Sequence, residues 1–207
     1  MKQYFLSVFL SVLFFVDLNA QEKKIRVGFN SGFGTQKSIP FNKKDYNYKT
    51  NFYKAQINYT LKEKRKWVFE LNIEPGIYIA EHQLLNKFFV QPSRGDDYLE
   101  QRERFTKEKT INEYVLNVGI VFKYPIYKKL NTYALVSIGP MYSDTETERL
   151  AKGFAFSDIL GVGLMYNIKN TFFDIRGSLR HVSNANLQFP NNGHNSVNIE
   201  MGVSFKL

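Results

Sequence analysis

The chain has 207 residues, of which 43% are hydrophobic and 16% aromatic, and its formal net charge is +9. This apolar content argues against disorder and supplies one domain with a core or a lipid-facing surface. The absence of cysteine excludes disulfide bonds and thiolate metal sites. A basic chain suits nucleic acid or anionic lipid headgroups as partners, and scattered solvated lysines explain the charge equally well.

The first twenty residues have the pattern of a secretory signal peptide. Lys2 precedes the short apolar run YFLSVFLSVLFFV, and Ala20 supplies a small residue before the polar Gln21. The run is shorter than the ~20 residues that a membrane-spanning helix needs, which favours cleavage over an anchor. We therefore predict a signal peptide at 1–20 and a single domain at 21–207, and export argues against a nucleic-acid partner.

Beyond Gln21 the dominant period is two, which is the period of β-strands. Apolar and polar residues alternate clearly in six segments, near 25–29, 53–62, 67–74, 114–124, 171–181 and 197–207. Two weaker strands lie near 133–141 and 154–166, which gives eight predicted strands. The last segment, VNIEMGVSFKL, is the clearest example. Its odd-numbered residues are all apolar, and its even-numbered residues are polar or small.

The predicted connections alternate between short and long along the chain. Short ones lie near 63–66, 125–131 and 167–170, and long ones near 31–50, 81–110, 143–153 and 184–196. A membrane barrel with short periplasmic turns and long outer loops has this alternation. The sequence therefore predicts an all-β fold, an eight-stranded antiparallel transmembrane β-barrel of the outer membrane.

The polar faces of the predicted strands carry charges that would point into such a barrel, where opposite signs can pair. These are Glu70, Glu74, Asp174, Arg176, Arg180 and Glu200. Aromatic residues near the short turns would form an interfacial belt, namely Tyr59, Trp67, Tyr124, Tyr133 and Tyr166. The alternative is a soluble lipocalin-like barrel with its apolar face inward. Asp158 breaks the pattern because it shares the parity of Phe156 and Leu160, and a bulge or an interfacial position would explain it.

A candidate active site lies in the stretch RHVSNANLQFPNNGHN at 180–195. His181 and Ser183 share the outward parity of Leu179 at the end of a strand. In an antiparallel hairpin, the numbers of paired residues have a constant sum. This rule places Asn195 opposite His181, with Cβ atoms about 4.5–5.5 Å apart. Polar groups that face lipid are costly, so this convergence favours a functional site. The simpler interpretation is a strand end whose His and Ser meet headgroups and water.

The three residue types suit nucleophilic catalysis. Ser183 would attack an ester carbonyl, His181 would take its proton, and Asn195 would orient the imidazole. Asn184, or backbone N–H groups of the following turn, would hold the oxyanion. No cofactor and no metal site is expected from the sequence.

Residues 181–195, HVSNANLQFPNNGHN, resemble the H-x-S-N-A…P-N-x-G segment of the PagL-type lipid A 3-O-deacylases. The resemblance extends over the last three strands, through GFAFSDILGVGLMY and DIRGSLRHVSNA, and over the earlier strands in layout alone. It implies an eight-stranded outer-membrane barrel whose site faces the outer leaflet. It also implies that His181 is the base, Ser183 the nucleophile and Asn184 an oxyanion donor.

The chain departs from this family at the third catalytic position, where Asn195 stands in place of an acid. The outer-membrane phospholipase A family resembles this arrangement and uses Asn as its third member. Glu200 has the parity of the barrel interior, whereas Asp158 has the outward parity and remains a further candidate. We interpret His194 as a loop residue that points away from the site.

The resulting functional prediction is an outer-membrane Ser-His esterase that removes the 3-O-acyl chain of lipid A, with lipopolysaccharide as its partner. Loop residues Lys43, Lys44, Arg102 and Arg104 could meet the lipid phosphates. One alternative is a phospholipase-like esterase, and another is a non-catalytic structural or adhesive barrel. The sequence does not indicate an oligomeric state.

Overall fold

A computed structural model describes residues 24–207, and the predicted signal peptide lies outside these residues. Eight antiparallel strands form one closed barrel, in which each strand pairs with its sequence neighbours and the first pairs with the last. The strands are β1 (Ile25–Thr35), β2 (Tyr46–Lys64), β3 (Trp67–Leu84), β4 (Lys109–Tyr127), β5 (Leu130–Ser143), β6 (Gly153–Ile168), β7 (Thr171–Ser183) and β8 (His194–Lys206). The predicted eight-stranded barrel is confirmed.

Closure of the barrel follows from the strand alternation seen in the sequence. Every strand has one face that points inward and one that points outward, and closure gives each backbone N–H and C=O a partner in a neighbouring strand. The outward face exposes large apolar side chains such as Val136, Leu160, Val162 and Met201. Within residues 24–207, no helix has the length and apolarity required to cross a bilayer.

The barrel interior is filled by paired charges, as predicted. Arg176 contacts Glu74 at 2.8 Å and Glu200 at 2.6 Å, and Lys54 contacts the same two carboxylates at 2.9 Å and 2.5 Å. All four side chains are at most 1% exposed. Because each charge has partners of opposite sign, the network fills the lumen without an isolated buried charge.

The connections alternate in length as predicted. Two-residue turns at 65–66, 128–129 and 169–170 close one end, and longer loops at 36–45, 85–108, 144–152 and 184–193 cover the other. In outer-membrane barrels the long loops are extracellular, so we call the long-loop end the outer end. The β3–β4 loop contains two short 3-10 turns, Lys87–Phe89 and Pro92–Arg94, and the helix α1 (Tyr98–Thr106), none of which the strand pattern predicted.

Two sequence interpretations are corrected by the strand faces. Tyr133 does not belong to the aromatic belt, because it points into the barrel and its hydroxyl donates to Asp174 at 2.9 Å. The bulge considered for Asp158 is absent, because the pairing of β6 with both neighbours continues without a shift in register. The other four predicted belt residues lie on the outward face near the short turns, and the rings of Trp67 and Tyr124 are 5.0 Å apart.

Candidate active site

The strand pairing brings His181 and Asn195 together as the sequence predicted. His181 lies near the outer end of β7 and is the direct partner of Asn195 on β8. The Nδ1 atom of His181 and the Oδ1 atom of Asn195 are 2.7 Å apart, so Nδ1–H donates to the carboxamide oxygen. This bond fixes the tautomer of the imidazole and leaves its Nε2 as the basic nitrogen.

Ser183 ends β7 on the same outward face as His181. It is half-buried and pairs with Phe156 of β6. Among the described residues the His181 ring bonds to Asn195 and not to the Ser183 hydroxyl. Hydrogen bonds between a nucleophile and its base are often long before substrate binds. The position of Ser183 and His181 on one face is therefore compatible with such a pair.

A row of paired residues crosses five strands at the level of His181. Val118 on β4 pairs with Ile138 on β5, Ile138 with Asp158 on β6, Asp158 with His181, and His181 with Asn195. All five face outward, and three consecutive members at the β8 end are polar. The other end of the row is apolar.

An open groove of about 900 Å³ follows this row along the outer surface. Apolar side chains of β4, β5 and β6 form most of its wall, and Asp158, His181 and Asn195 also contribute to it. Of the described residues that line the groove, only Phe41 comes from a loop, the β1–β2 connection. The groove therefore places a polar cluster beside an apolar surface on the membrane-facing side.

The β7–β8 loop that follows Ser183 is held in one conformation by Asn184. This side chain is fully buried, and its Nδ2 donates to the carbonyl oxygens of Gln188 at 2.8 Å and Pro190 at 3.3 Å. The Asn184 backbone N–H donates to Oδ1 of Asn191 at 2.7 Å. The backbone N–H and the side-chain Nδ2 of Asn184, the predicted oxyanion donor, therefore both donate to atoms of the β7–β8 loop.

The same loop turns back through left-handed backbone conformations. Ala185, Asn186 and Gly193 have φ values of 52°, 62° and 60°. A Cβ atom at Gly193 would lie 2.3 Å from the carbonyl oxygen of Val182 and 3.4 Å from the His181 ring. Gly193 therefore permits the close approach of β8 to the end of β7, where the candidate site lies.

The β5–β6 loop joins the β7–β8 loop and anchors it. Arg149 is buried, its Nε donates to the Gly193 carbonyl oxygen at 2.8 Å, and its own carbonyl oxygen accepts from the Gly193 N–H at 2.9 Å. Its guanidinium also lies 4.4 Å from the centre of the Tyr46 ring and 4.6 Å from that of Phe89. This contact of Arg149 is not predictable from the sequence, because no local pattern indicates which loop the side chain reaches.

His194 differs from its sequence interpretation as a loop residue. It is the first residue of β8, it is buried in the lumen, and its Nε2 lies 2.9 Å from Glu113. Arg180 contacts the same carboxylate at 2.7 Å. His194 does point away from the candidate site, because neighbouring strand residues face opposite sides of the barrel wall. Glu200 also points into the lumen, as its parity predicted.

The four loop cations suggested as phosphate contacts have different surroundings. Lys43 and Lys44 are exposed in the β1–β2 loop, the loop that carries Phe41. Arg102 donates to the Val90 carbonyl oxygen at 2.9 Å, and Arg104 contacts Glu146 at 3.1 Å. The two arginines therefore have partners within the protein.

Arg94 of the β3–β4 loop lies against the β7–β8 loop. Its guanidinium stacks on Phe189 of that loop, and burial lowers the pKa of Arg94.

Comparison with known proteins places these features in a family. The sequence model of a family described as lipid A 3-O-deacylase (PagL) matches residues 86–204, more than half of the chain. The crystal structure of the outer membrane enzyme PagL is 14% identical, with a TM-score of 0.55, covering 86% of this chain and 97% of that one.

Two further barrels are less similar. Neisserial surface protein A is 11% identical over 90% of this chain and 98% of its own, with a TM-score of 0.48. The N-terminal barrel domain of Pseudomonas aeruginosa OprF is 14% identical over 89% of this chain and 100% of its own, with a TM-score of 0.41. No curated protein sequence matches the chain significantly. The family match extends over the candidate site, and the chain belongs to the lipid A 3-O-deacylase (PagL) family of outer-membrane β-barrels.

Proposed function

We propose that this protein hydrolyses the ester bond of the 3-O-acyl chain of lipid A in the outer leaflet, with Ser183 as nucleophile and His181 as general base. The observation that carries the proposal is the hydrogen bond of 2.7 Å between His181 and Asn195 on the outward face that Ser183 shares. Family membership supports the same substrate. The apolar groove supports a substrate whose acyl chains lie alongside the barrel.

The proposed reaction has two proton transfers through His181. As Ser183 Oγ bonds to the acyl carbon, its proton passes to Nε2, and the imidazole becomes a cation. The ester C–O bond then breaks, and the sugar oxygen takes the proton from Nε2. In the second half, water attacks the acyl-serine and its proton passes to Nε2 of His181. The bond between the acyl carbon and Ser183 Oγ then breaks, Oγ takes the proton from Nε2, and the fatty acid leaves.

The proposed oxyanion donor is the backbone at the start of the β7–β8 loop. Oδ1 of Asn191 lies 2.7 Å from the Asn184 nitrogen and marks a position where this N–H binds an acceptor. An oxyanion is a stronger acceptor than a neutral carboxamide and would displace it. The Asn184 side chain keeps the loop in place through its bonds to the carbonyl oxygens of Gln188 and Pro190.

The proposed role of Asn195 is to orient the imidazole without supplying charge. Its carboxamide oxygen accepts from Nδ1–H, as a carboxylate would, so Nε2 stays available as the base. Stabilisation of the protonated ring by a neutral acceptor is weaker than by a carboxylate. We propose that Lys43 and Lys44 contact the phosphates of lipid A, because both are exposed in the β1–β2 loop that also supplies Phe41 to the groove.

The released fatty acid tests the substrate. Purified barrel is incubated with lipopolysaccharide and, separately, with glycerophospholipid, and the released acids are identified by mass spectrometry. We expect 3-hydroxy fatty acids from lipopolysaccharide with wild type, and none with His181→Ala. Asn195 favours a phospholipase as the second candidate, so unsubstituted fatty acids from glycerophospholipid would support that function instead. Release of neither class would favour a non-catalytic barrel.

A further inference from the structure

We propose that the carboxylate of Asp158 is the electrostatic partner of His181 and supplies the negative charge that Asn195 lacks. The proposal deepens the proposed function and rests on its serine mechanism. Asp158 acts through His181 and is therefore a positioning residue, and Ser183 and His181 remain the groups that carry out the chemistry.

Asp158 lies directly beside His181 in the sheet. His181 has two direct neighbours across the sheet, Asn195 on β8 and Asp158 on β6. Side chains that are directly opposite across paired strands have Cβ atoms about 4.5–5.5 Å apart. His181 therefore stands between Asn195 and Asp158 on the same outward face.

Within the described part of the chain, the surroundings of the Asp158 carboxylate leave it without a compensating partner. Asp158 is half-buried, it lines the apolar groove, and its Oδ1 atom is buried without a hydrogen-bond partner among residues 24–207. The regular pairing of β6 leaves no bulge that would turn the side chain away. A carboxylate on a lipid-facing surface is costly unless a nearby cation compensates it. Protonated His181 is such a cation, and it forms during the reaction.

Two lumen carboxylates, on the strands β8 and β4, already have cationic partners of their own. Glu200 lies in the lumen and contacts Arg176 and Lys54. Glu113 is also in the lumen, where it contacts Arg180 and His194. Asp158 is the described carboxylate that is paired directly with His181 across the sheet.

The test measures activation of Ser183 separately from lipid recognition. A fluorophosphonate probe forms a bond between its phosphorus and Ser183 Oγ, expels fluoride, and requires transfer of the hydroxyl proton to His181. Labelling rates are compared for wild type, Asp158→Asn, Asn195→Glu and the double variant. Glu81→Gln is the matched control, because Glu81 is an exposed outward carboxylate near the outer end of β3, outside the groove.

We expect Asp158→Asn to lower the maximal labelling rate about tenfold or more, with the half-saturating probe concentration unchanged. In the Asn195→Glu background the same change should have a much smaller effect, because Glu at position 195 supplies the charge. A structural role of Asp158 would reduce labelling equally in both backgrounds. Equal losses, or an unchanged rate in Asp158→Asn, would overturn the proposal.

Two further outcomes separate this proposal from the proposed function. If labelling depends on Asp158 and lipopolysaccharide is not deacylated, the role of Asp158 stands and the lipid A substrate is wrong. If wild type is not labelled at Ser183, the role of Asp158 and the serine mechanism both fail. Folding of every variant is checked by the heat-dependent shift in its electrophoretic mobility.

Discussion

At the scale of single residues, the proposed catalysis requires that the His181 ring be held in one orientation. Its Nδ1 has a neutral acceptor, Asn195 Oδ1, at 2.7 Å. The carboxamide can fix the ring and its tautomer, which in serine hydrolases is a large part of what the third residue does. A neutral third residue is therefore compatible with catalysis when charge comes from elsewhere.

Replacement of Asn195 by alanine tests this orienting role. Without the acceptor, Nδ1 and Nε2 compete for the proton and the ring can rotate, so we expect kcat for acyl release to fall about 10²-fold with little change in KM. Steady-state kinetics on lipopolysaccharide measure both constants. An unchanged kcat would contradict the orienting role, and a change in KM alone would assign Asn195 to substrate binding.

At the scale of structural elements, the site depends on the contact between the end of β7 and the β7–β8 loop. Gly193→Ala introduces a Cβ atom 2.3 Å from the Val182 carbonyl oxygen at a position with φ of 60°. The loop must move, and we expect acyl release to fall about 10²-fold while the barrel still folds. Activity and electrophoretic mobility are measured together.

Gly177→Ala is the matched control for this change. It also lies on β7, its added Cβ atom meets nothing within 4 Å, and we expect wild-type activity. Equal loss in the two variants would mean that the geometry at Gly193 is not specific to the site.

Arg149 provides a second test at the scale of elements. Arg149→Met keeps much of the side-chain length but removes the bond from Nε to the Gly193 carbonyl oxygen. We expect faster hydrogen exchange in the β5–β6 and β7–β8 loops, because the N–H groups of Gly193 and Ala151 join these two loops. Mass spectrometry of peptides that contain 144–152 and 184–193 measures it. Unchanged exchange would mean that the loops are anchored without Arg149.

At the scale of the whole molecule, stability depends on the charge network of the lumen. Arg176→Met leaves Glu74 and Glu200 with Lys54 as their shared cation. Removal of one partner from a fully buried ion network costs about 3–5 kcal/mol, and urea unfolding of the barrel in detergent should show this loss. The exposed pair of Lys107 and Glu103 in the β3–β4 loop is the control, and Lys107→Ala should leave the unfolding curve unchanged. Similar curves for the two variants would contradict a stabilising role of the network.

Much of the architecture follows from the sequence, because successive side chains of a strand point to opposite faces with a period of two. Alternation in the last two strands predicted that His181 and Asn195 would be paired, and this pairing is confirmed. Parity gave no guidance where alternation is weak, so Tyr133 on β5 was assigned to the wrong face. The contact between Arg149 and Gly193 joins two loops distant in sequence, and the period of a strand contains no information about it.

The proposed function requires that Ser183 remove an ester-linked acyl chain from lipid A. The most direct measurement is the mass of lipid A from cells that produce wild type or Ser183→Ala at equal amounts of folded barrel. We expect wild type to yield lipid A lighter by one 3-hydroxyacyl group, and Ser183→Ala to yield full-length lipid A. The same shortened lipid A in both strains, or full-length lipid A with wild type, would contradict it.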